Sequence, residues 1–275
     1  LALFPLLVLL IILTLGSVGL LTPGAAVMVV AAVFLLLTLF RRGRVARPFP
    51  CLAGSWWGPT PPGPLWPLPF ALVAASWLYL AASTCLKGTR LGMDDLSYHA
   101  SGPAQWLLDA RISLAPFNYH LYYPFNSETL SLWFMLPWHS DVYASLSGLY
   151  WTTLAPVALI YLGLALGRSR SAATLPAAIA LVPPVVVHQV TGTFCAVDFA
   201  APVALLAGLA LLAPRPETAP LPSLRQILLG GLMVGYAAGA KASMLALTAV
   251  PFLWLLLHAA HRPATRRCRR SARII

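Results

Sequence analysis

Charge is what this sequence has least of. Only 9% of its 275 residues are charged, against 59% hydrophobic, where a soluble domain carries about 25% charged residues. Such a chain cannot cover its surface with polar groups, so lipid must solvate much of it. Acids are scarcer still, with 7 Asp and Glu against 18 Lys and Arg. The resulting net charge of +11 does not make nucleic acid the expected partner, because the arginines fall in short clusters between apolar runs. Membrane proteins mark cytoplasmic loops in this way. Cysteine is also scarce: Cys51, Cys85, Cys195 and Cys268 lie far apart, with no C-x-x-C and no metal spacing. They read as ordinary apolar residues.

Long apolar runs are abundant. A spanning helix needs about 20 such residues, and candidates run over 1–21, 25–40, 65–86, 143–166, 172–190 and 199–212. A last run, 226–258, is too long for one span and holds Lys241 near its centre. It reads as two short helices meeting at Gly239-Ala240-Lys241-Ala242-Ser243. The expected fold is an all-α polytopic membrane protein of about eight transmembrane helices, one domain over residues 1–275. The chain starts on Leu1 and ends in a basic run, which leads us to expect that a C-terminal part is missing. The first run lacks a preceding basic residue and a cleavage site, and reads as a retained helix.

Placing the arginine clusters at 41–47, 168–170, 215–225 and 262–273 on the cytoplasmic side closes the alternation. Asp94, Asp95, Asp109, Glu128, Asp141 and Asp198 then fall outside, and only Glu217 inside. His99, His120, His139 and His188 join the outer group. The first outer loop, about 87–142, is the one long stretch between spans. Ser101-Gly102-Pro103 reads as a helix start, with Ser101 as the cap. The segment 127–138 is helical in pattern but too short to cross, so it is expected on, or dipping into, the outer leaflet.

The loop opens with Met93-Asp94-Asp95-Leu96-Ser97-Tyr98-His99. Carboxylates at a membrane boundary are costly without a partner or a task. One of the pair could serve as general base on a hydroxyl; the other would bind metal, cap a turn or face water. On an α-helix Asp95 and His99 would share a face, a spacing that suits a metal-ligand pair. Lys241 either snorkels to the interface or meets a phosphate at the tip of its two half-helices. Gly231, Gly235 and Gly239 repeat every four residues, which reads as close helix packing. Glu128 either sits at the start of its helix, where the dipole favours an acid, or is a second acid of the site. Asp198 and His188 line the same cavity or pair with each other.

Together, Asp94-x-x-x-Tyr98-His99, Trp106-Leu107, Tyr122-Tyr123-Pro124, Glu128, Trp133 and Gly235-x-x-x-Gly239-x-Lys241 resemble bacterial integral-membrane glycosyltransferases of the C-type (GT-C) fold. The resemblance spans residues 65–258. It implies a polyprenyl-phosphate sugar donor, a lipid, glycan or protein acceptor, inversion at the anomeric carbon, and a site on the external side of the cell membrane. Asp94 matches the catalytic Asp of that group, with Asp95 one residue away. Tyr98, His99, Trp106, Tyr123, Glu128 and Lys241 are the substrate-binding residues it implies, and a divalent cation is compatible with it. The rival expectations are a secondary transporter or lipid flippase, whose ionisable groups would lie near the midplane, and an inactive membrane subunit.

Overall fold

The computed structural model describes residues 1–41, 67–87, 93–113, 125–192, 196–213, 222–249 and 253. All regular structure among them is helical: α1 (Leu3–Ser17), α2 (Pro23–Arg41), α3 (Pro67–Lys87), α4 (Ser101–Leu108), α5 (Asn126–Met135), α6 (Leu146–Ala165), α7 (Arg170–Ala180), α8 (Pro184–Gly192), α9 (Val197–Leu212) and α10 (Leu224–Ala240). A π-helical turn, Asp95–His99, precedes α4, and two 3₁₀ turns, Leu136–Trp138 and Asp141–Tyr143, join α5 to α6. Residues 42–66 and 114–124, which include the Pro- and Gly-rich stretch 47–66 and the aromatic stretch 117–124, lie outside the described residues.

Two helical stretches are long and apolar enough to cross a membrane, Leu68–Leu86 and Asp141–Ala165. Trp77 Nε1 donates to Thr153 Oγ1 at 2.9 Å and ties one to the other. A third appears if α7 and α8 count as one broken span. The sequence suggested a straight helix over 172–190, but α7 and α8 diverge by 63°. Pro183 and Pro184 sit at the break, where proline removes N–H donors and pushes the residue before it out of the helical region. With 15 and 16 residues, α1 and α9 reach only about 22–24 Å, short of a hydrocarbon core of about 30 Å. Large apolar side chains on α2 point outward all the same, among them Val27, Met28 and Phe34. On a protein whose outer solvent was water, so many would form an unusual patch.

The long apolar run after 226 does divide as its sequence suggested. A capping box starts α10: Ser223 Oγ accepts from the Gln226 N–H, and Gln226 Oε1 accepts from the Ser223 N–H. The helix stops at Ala240, Lys241 is extended (φ −150°, ψ 122°), and a second helical turn begins at 244.

The core lies where α9 crosses α10 and where α6 and α5 pack against them. At the α9–α10 crossing the close approach is made by Gly208 and Gly230. A Cβ on Gly208 would lie 2.8 Å from the Gly230 carbonyl oxygen. Gly231 and Gly235, expected in that role, face open space among the described residues; of the three, only Gly239 is in contact. Four-residue spacing puts glycines on one face but does not say which face meets a neighbour.

The other departure is α5. It is enclosed by other helices instead of lying at the protein's surface. Ser127, Glu128, Thr129, Leu130, Ser131, Leu132 and Met135 are all buried, because α1, α4, α6, α9 and α10 surround the helix. Its polar groups are satisfied internally, as buried hydroxyls must be: Thr129 Oγ1 donates to the Asn126 carbonyl and Ser131 Oγ pairs with Ser147 Oγ at 2.8 Å. The far end of α1 docks on the outer loop, where Leu21 N donates to the Ala110 carbonyl and Ile112 N to the Gly16 carbonyl. Its near end also meets loop-side structure, since Tyr150 Oη, early in α6, donates to the Leu1 carbonyl at 2.8 Å.

Candidate active site

Met93 and Asp94 are helical and Asp95–His99 forms the π turn. Serines accompany this widening: Ser97 Oγ donates to the Met93 carbonyl at 2.7 Å and Ser101 Oγ to the Ser97 carbonyl at 3.1 Å. Hydroxyls bonding back four residues compete with the backbone ladder and loosen it. Ser101 is therefore not the cap of α4. It lies inside the helix, Ala100 occupies the cap position, and Pro103 is buried in the first turn.

His99 closes the π turn, four residues after Asp95, and Asp94 immediately precedes the turn. The Asp95 side chain and Tyr123 lie outside the described part of the structure. Asp94 is exposed.

Glu128 lies in the first turn of α5, where the helix dipole favours an acid, and it is also part of a cluster. Its carboxylate, 1% exposed, meets Nδ1 of His99, which is 17% exposed. Its place at the start of the helix is as one of the two sequence readings had it. Tyr98 packs on the His99 ring with centroids 4.0 Å apart. Trp106 is buried, its Nε1 donating to the Ser113 carbonyl at 2.7 Å and its ring edge-on to Phe125.

Two residues before Glu128, Asn126 links the cluster to α10. Asn126 Nδ2 donates to the Tyr236 carbonyl at 3.2 Å, and Tyr236 Oη donates back to the Asn126 carbonyl at 2.6 Å. Asn126 also fills the space beside Gly239, since a Cβ there would come within 2.8 Å of its Cγ. Beyond Gly239, Lys241 caps the end of α10 and forms an ion pair with Asp198 in the first turn of α9. Asp198 also accepts from Gln189 Nε2 at 3.4 Å. His188 is exposed and is not its partner among the described residues.

The structure thus pairs His99 with Glu128 and Lys241 with Asp198, and Asn126 links the start of α5 to α10. Sequence reasoning missed Asn126, Tyr236 and Gln189. Asn126 at the first position of a helix whose third residue is an acid was the available signal, but nothing local identifies the partner across the fold. Of the remaining acids, Asp109 stands apart. Gln105 Nε2 and Ser113 Oγ donate to its carboxylate at 2.8 and 3.1 Å. These bonds, Gln105 first, hold its carboxyl below the usual carboxylate range. Among the described residues no three of His, Cys, Asp and Glu come together to hold a metal ion. Comparison with protein-family models, curated proteins and solved structures finds no match.

Proposed function

We propose that this protein is a multi-pass membrane glycosyltransferase of the GT-C kind, with about eight spans. It moves a sugar from a polyprenyl-phosphate donor to a hydroxyl of a lipid, glycan or protein acceptor at the outer face of the cell membrane. One observation carries this reading. The π turn that follows Asp94 seats His99 on the buried Glu128, and Asn126 joins α5, which bears Glu128, to the end of α10 bearing Lys241. π turns recur at functional sites. Buried ionisable pairs at a membrane boundary are costly unless they have a task.

In this reading Asp94 takes the proton of the acceptor hydroxyl. The acceptor oxygen bonds to the anomeric carbon with inversion. The bond from that carbon to the phosphate oxygen breaks, and the polyprenyl phosphate leaves with the electron pair. N–H donors beside the phosphate offset the charge it gains, Lys241 among them. Tyr98 lines the sugar groove.

A second reading, a transporter or lipid flippase, is favoured by one feature, the break in the helix at Lys241. Broken helices of this kind line transport sites. Reconstituting the full chain in vesicles with a labelled polyprenyl-phosphate sugar and an acceptor separates the two. Label transferred to the acceptor supports the enzyme. Label that crosses the bilayer still attached to its polyprenyl phosphate supports the flippase and rejects the enzyme.

A further inference from the structure

Residues of three helices meet at one ion pair. Lys241, extended where α10 stops, pairs with Asp198 in the first turn of α9. Asp198 uses both carboxylate oxygens. Oδ1 accepts from Lys241 Nζ, and Oδ2 accepts from Nε2 of Gln189, on α8, at 3.4 Å. The two charged side chains are 44% and 53% exposed, so a dissolved or lipid-borne anion can reach the ammonium. A cation already matched by a carboxylate presents little net charge to such an anion. Lys241 can therefore stabilise a phosphate in one of two ways: it shares its ammonium with Asp198, or it exchanges Asp198 for the phosphate.

Magnitudes decide between the two. Sharing holds a carboxylate and a phosphate on one ammonium, with like charges about 4 Å apart. At the effective dielectric of a protein surface their repulsion exceeds the net worth of an exposed ion pair. Exchange costs only that pair, at most about fivefold in an equilibrium constant. A phosphate monoester carries about one and a half to two negative charges at neutral pH, against one on Asp198, so the ammonium is drawn to the phosphate. The released carboxylate is not stranded. It is about half exposed to water and keeps its bond from Gln189.

We propose that Asp198 is a displaceable counter-ion: it holds Lys241 until the phosphate of the lipid-linked substrate takes its place on the ammonium. The inference rests on the glycosyltransferase reading for the identity of that phosphate. Asp198 then sets how strongly the site must be charged to win Lys241. The sugar donor is a diester with a single negative charge, whereas the polyprenyl phosphate left after transfer is a monoester with more. Exchange is furthest advanced once the sugar has gone, and an interaction that strengthens along the reaction is the kind that raises its rate.

The test uses the full chain in lipid nanodiscs, with farnesyl phosphate as probe and farnesol as its uncharged counterpart. Wild type should bind farnesyl phosphate more tightly than farnesol. Asp198→Asn frees the ammonium, so it should tighten farnesyl phosphate by about two- to fivefold and leave farnesol unchanged. Lys241→Met should weaken farnesyl phosphate several-fold, again with farnesol unchanged, which shows that the variant is folded. Carbon-13 NMR of labelled aspartate, with the Asp198 carboxyl assigned by its loss in Asp198→Asn, should show that signal moving when farnesyl phosphate is added and staying in place with farnesol. Equal or weaker farnesyl phosphate binding in Asp198→Asn overturns the inference, since Asp198 would then hold Lys241 in place for the phosphate instead of competing with it. An Asp198 signal that ignores farnesyl phosphate overturns it too, as does unchanged farnesyl phosphate affinity in Lys241→Met. In these three cases a wild type that still prefers farnesyl phosphate keeps the lipid-phosphate reading. If the wild type holds farnesyl phosphate no better than farnesol, that reading itself fails, and the inference with it.

Discussion

Gly239 is the most exposed point of this architecture to a single added methyl group. Its Cβ would lie 2.8 Å from Cγ of Asn126, inside any contact that real Cβ atoms make. Asn126 cannot simply swing aside, because it is bonded twice to Tyr236 and Tyr236 is buried. Gly239→Ala must therefore either push α5 off α10 or break that reciprocal pair. Overpacking of this kind costs about 1–3 kcal/mol, and a lost hydrogen bond adds about 1 kcal/mol. We expect a net destabilisation of about 2–4 kcal/mol. The control lies on the same helix. Gly231→Ala and Gly235→Ala meet nothing within 4 Å and remove an interior glycine, so each should stabilise by about 0.5–1 kcal/mol. Unfolding of the purified protein in mixed micelles, followed by tryptophan fluorescence, reads all three. Asn126→Ala should also rescue Gly239→Ala in a double-mutant cycle, because the two side chains compete for one space. Equal stability of Gly239→Ala and Gly235→Ala would refute the packing of α5 on α10.

Three further outcomes follow from single contacts. Ser131→Ala should destabilise by about 1–3 kcal/mol because it leaves the buried Ser147 hydroxyl without this partner, while Ser131→Ala with Ser147→Ala should cost less than the two singles summed, as the same unfolding assay would show. The Lys241–Asp198 pair is about half exposed on both sides, so Lys241→Met should change stability by at most about 1 kcal/mol yet slow sugar transfer, which separates a functional lysine from a structural one. Asp109 is held below the usual carboxylate range by Gln105 and Ser113. A lowered folded-state value means that its contribution is present above the unfolded value and lost as pH falls through the folded one. Carbon-13 NMR titration should accordingly place its midpoint below that of a free aspartate and move it up in Gln105→Leu.

Much of the fold was legible because apolar length and charge clustering report directly on spans. The helices at Pro67–Lys87 and Leu146–Ala165 follow from runs of the right length, and the break at Lys241 follows from a charge in a run too long to cross once. The bend between α7 and α8 was also written in the chain, as Pro183-Pro184, but it was outweighed by composition. What sequence could not supply was partnership. The pattern of Ser127–Trp138 fits an interfacial helix until one knows that five other helices surround it. Gly231 and Gly235 have the spacing of a packing face, yet Gly208 and Gly230 do the packing. The same limit applies at the site. Asp94, His99, Glu128 and Lys241 could each be picked out as unusual residues in an apolar chain, whereas the pairing of His99 with Glu128 and the Asn126 link to α10 are contacts across 29 and 110 residues of sequence.

The central claim is that Asp94 is the base of a sugar transfer at this site. It is tested most directly by the single-turnover rate from a labelled polyprenyl-phosphate sugar, comparing wild type with Asp94→Asn and Asp95→Asn at saturating donor. A general base contributes about 10²–10⁴-fold, so Asp94→Asn should slow transfer by that factor with donor binding retained, while Asp95→Asn should stay within a few-fold of wild type. Wild-type turnover in Asp94→Asn would contradict the account.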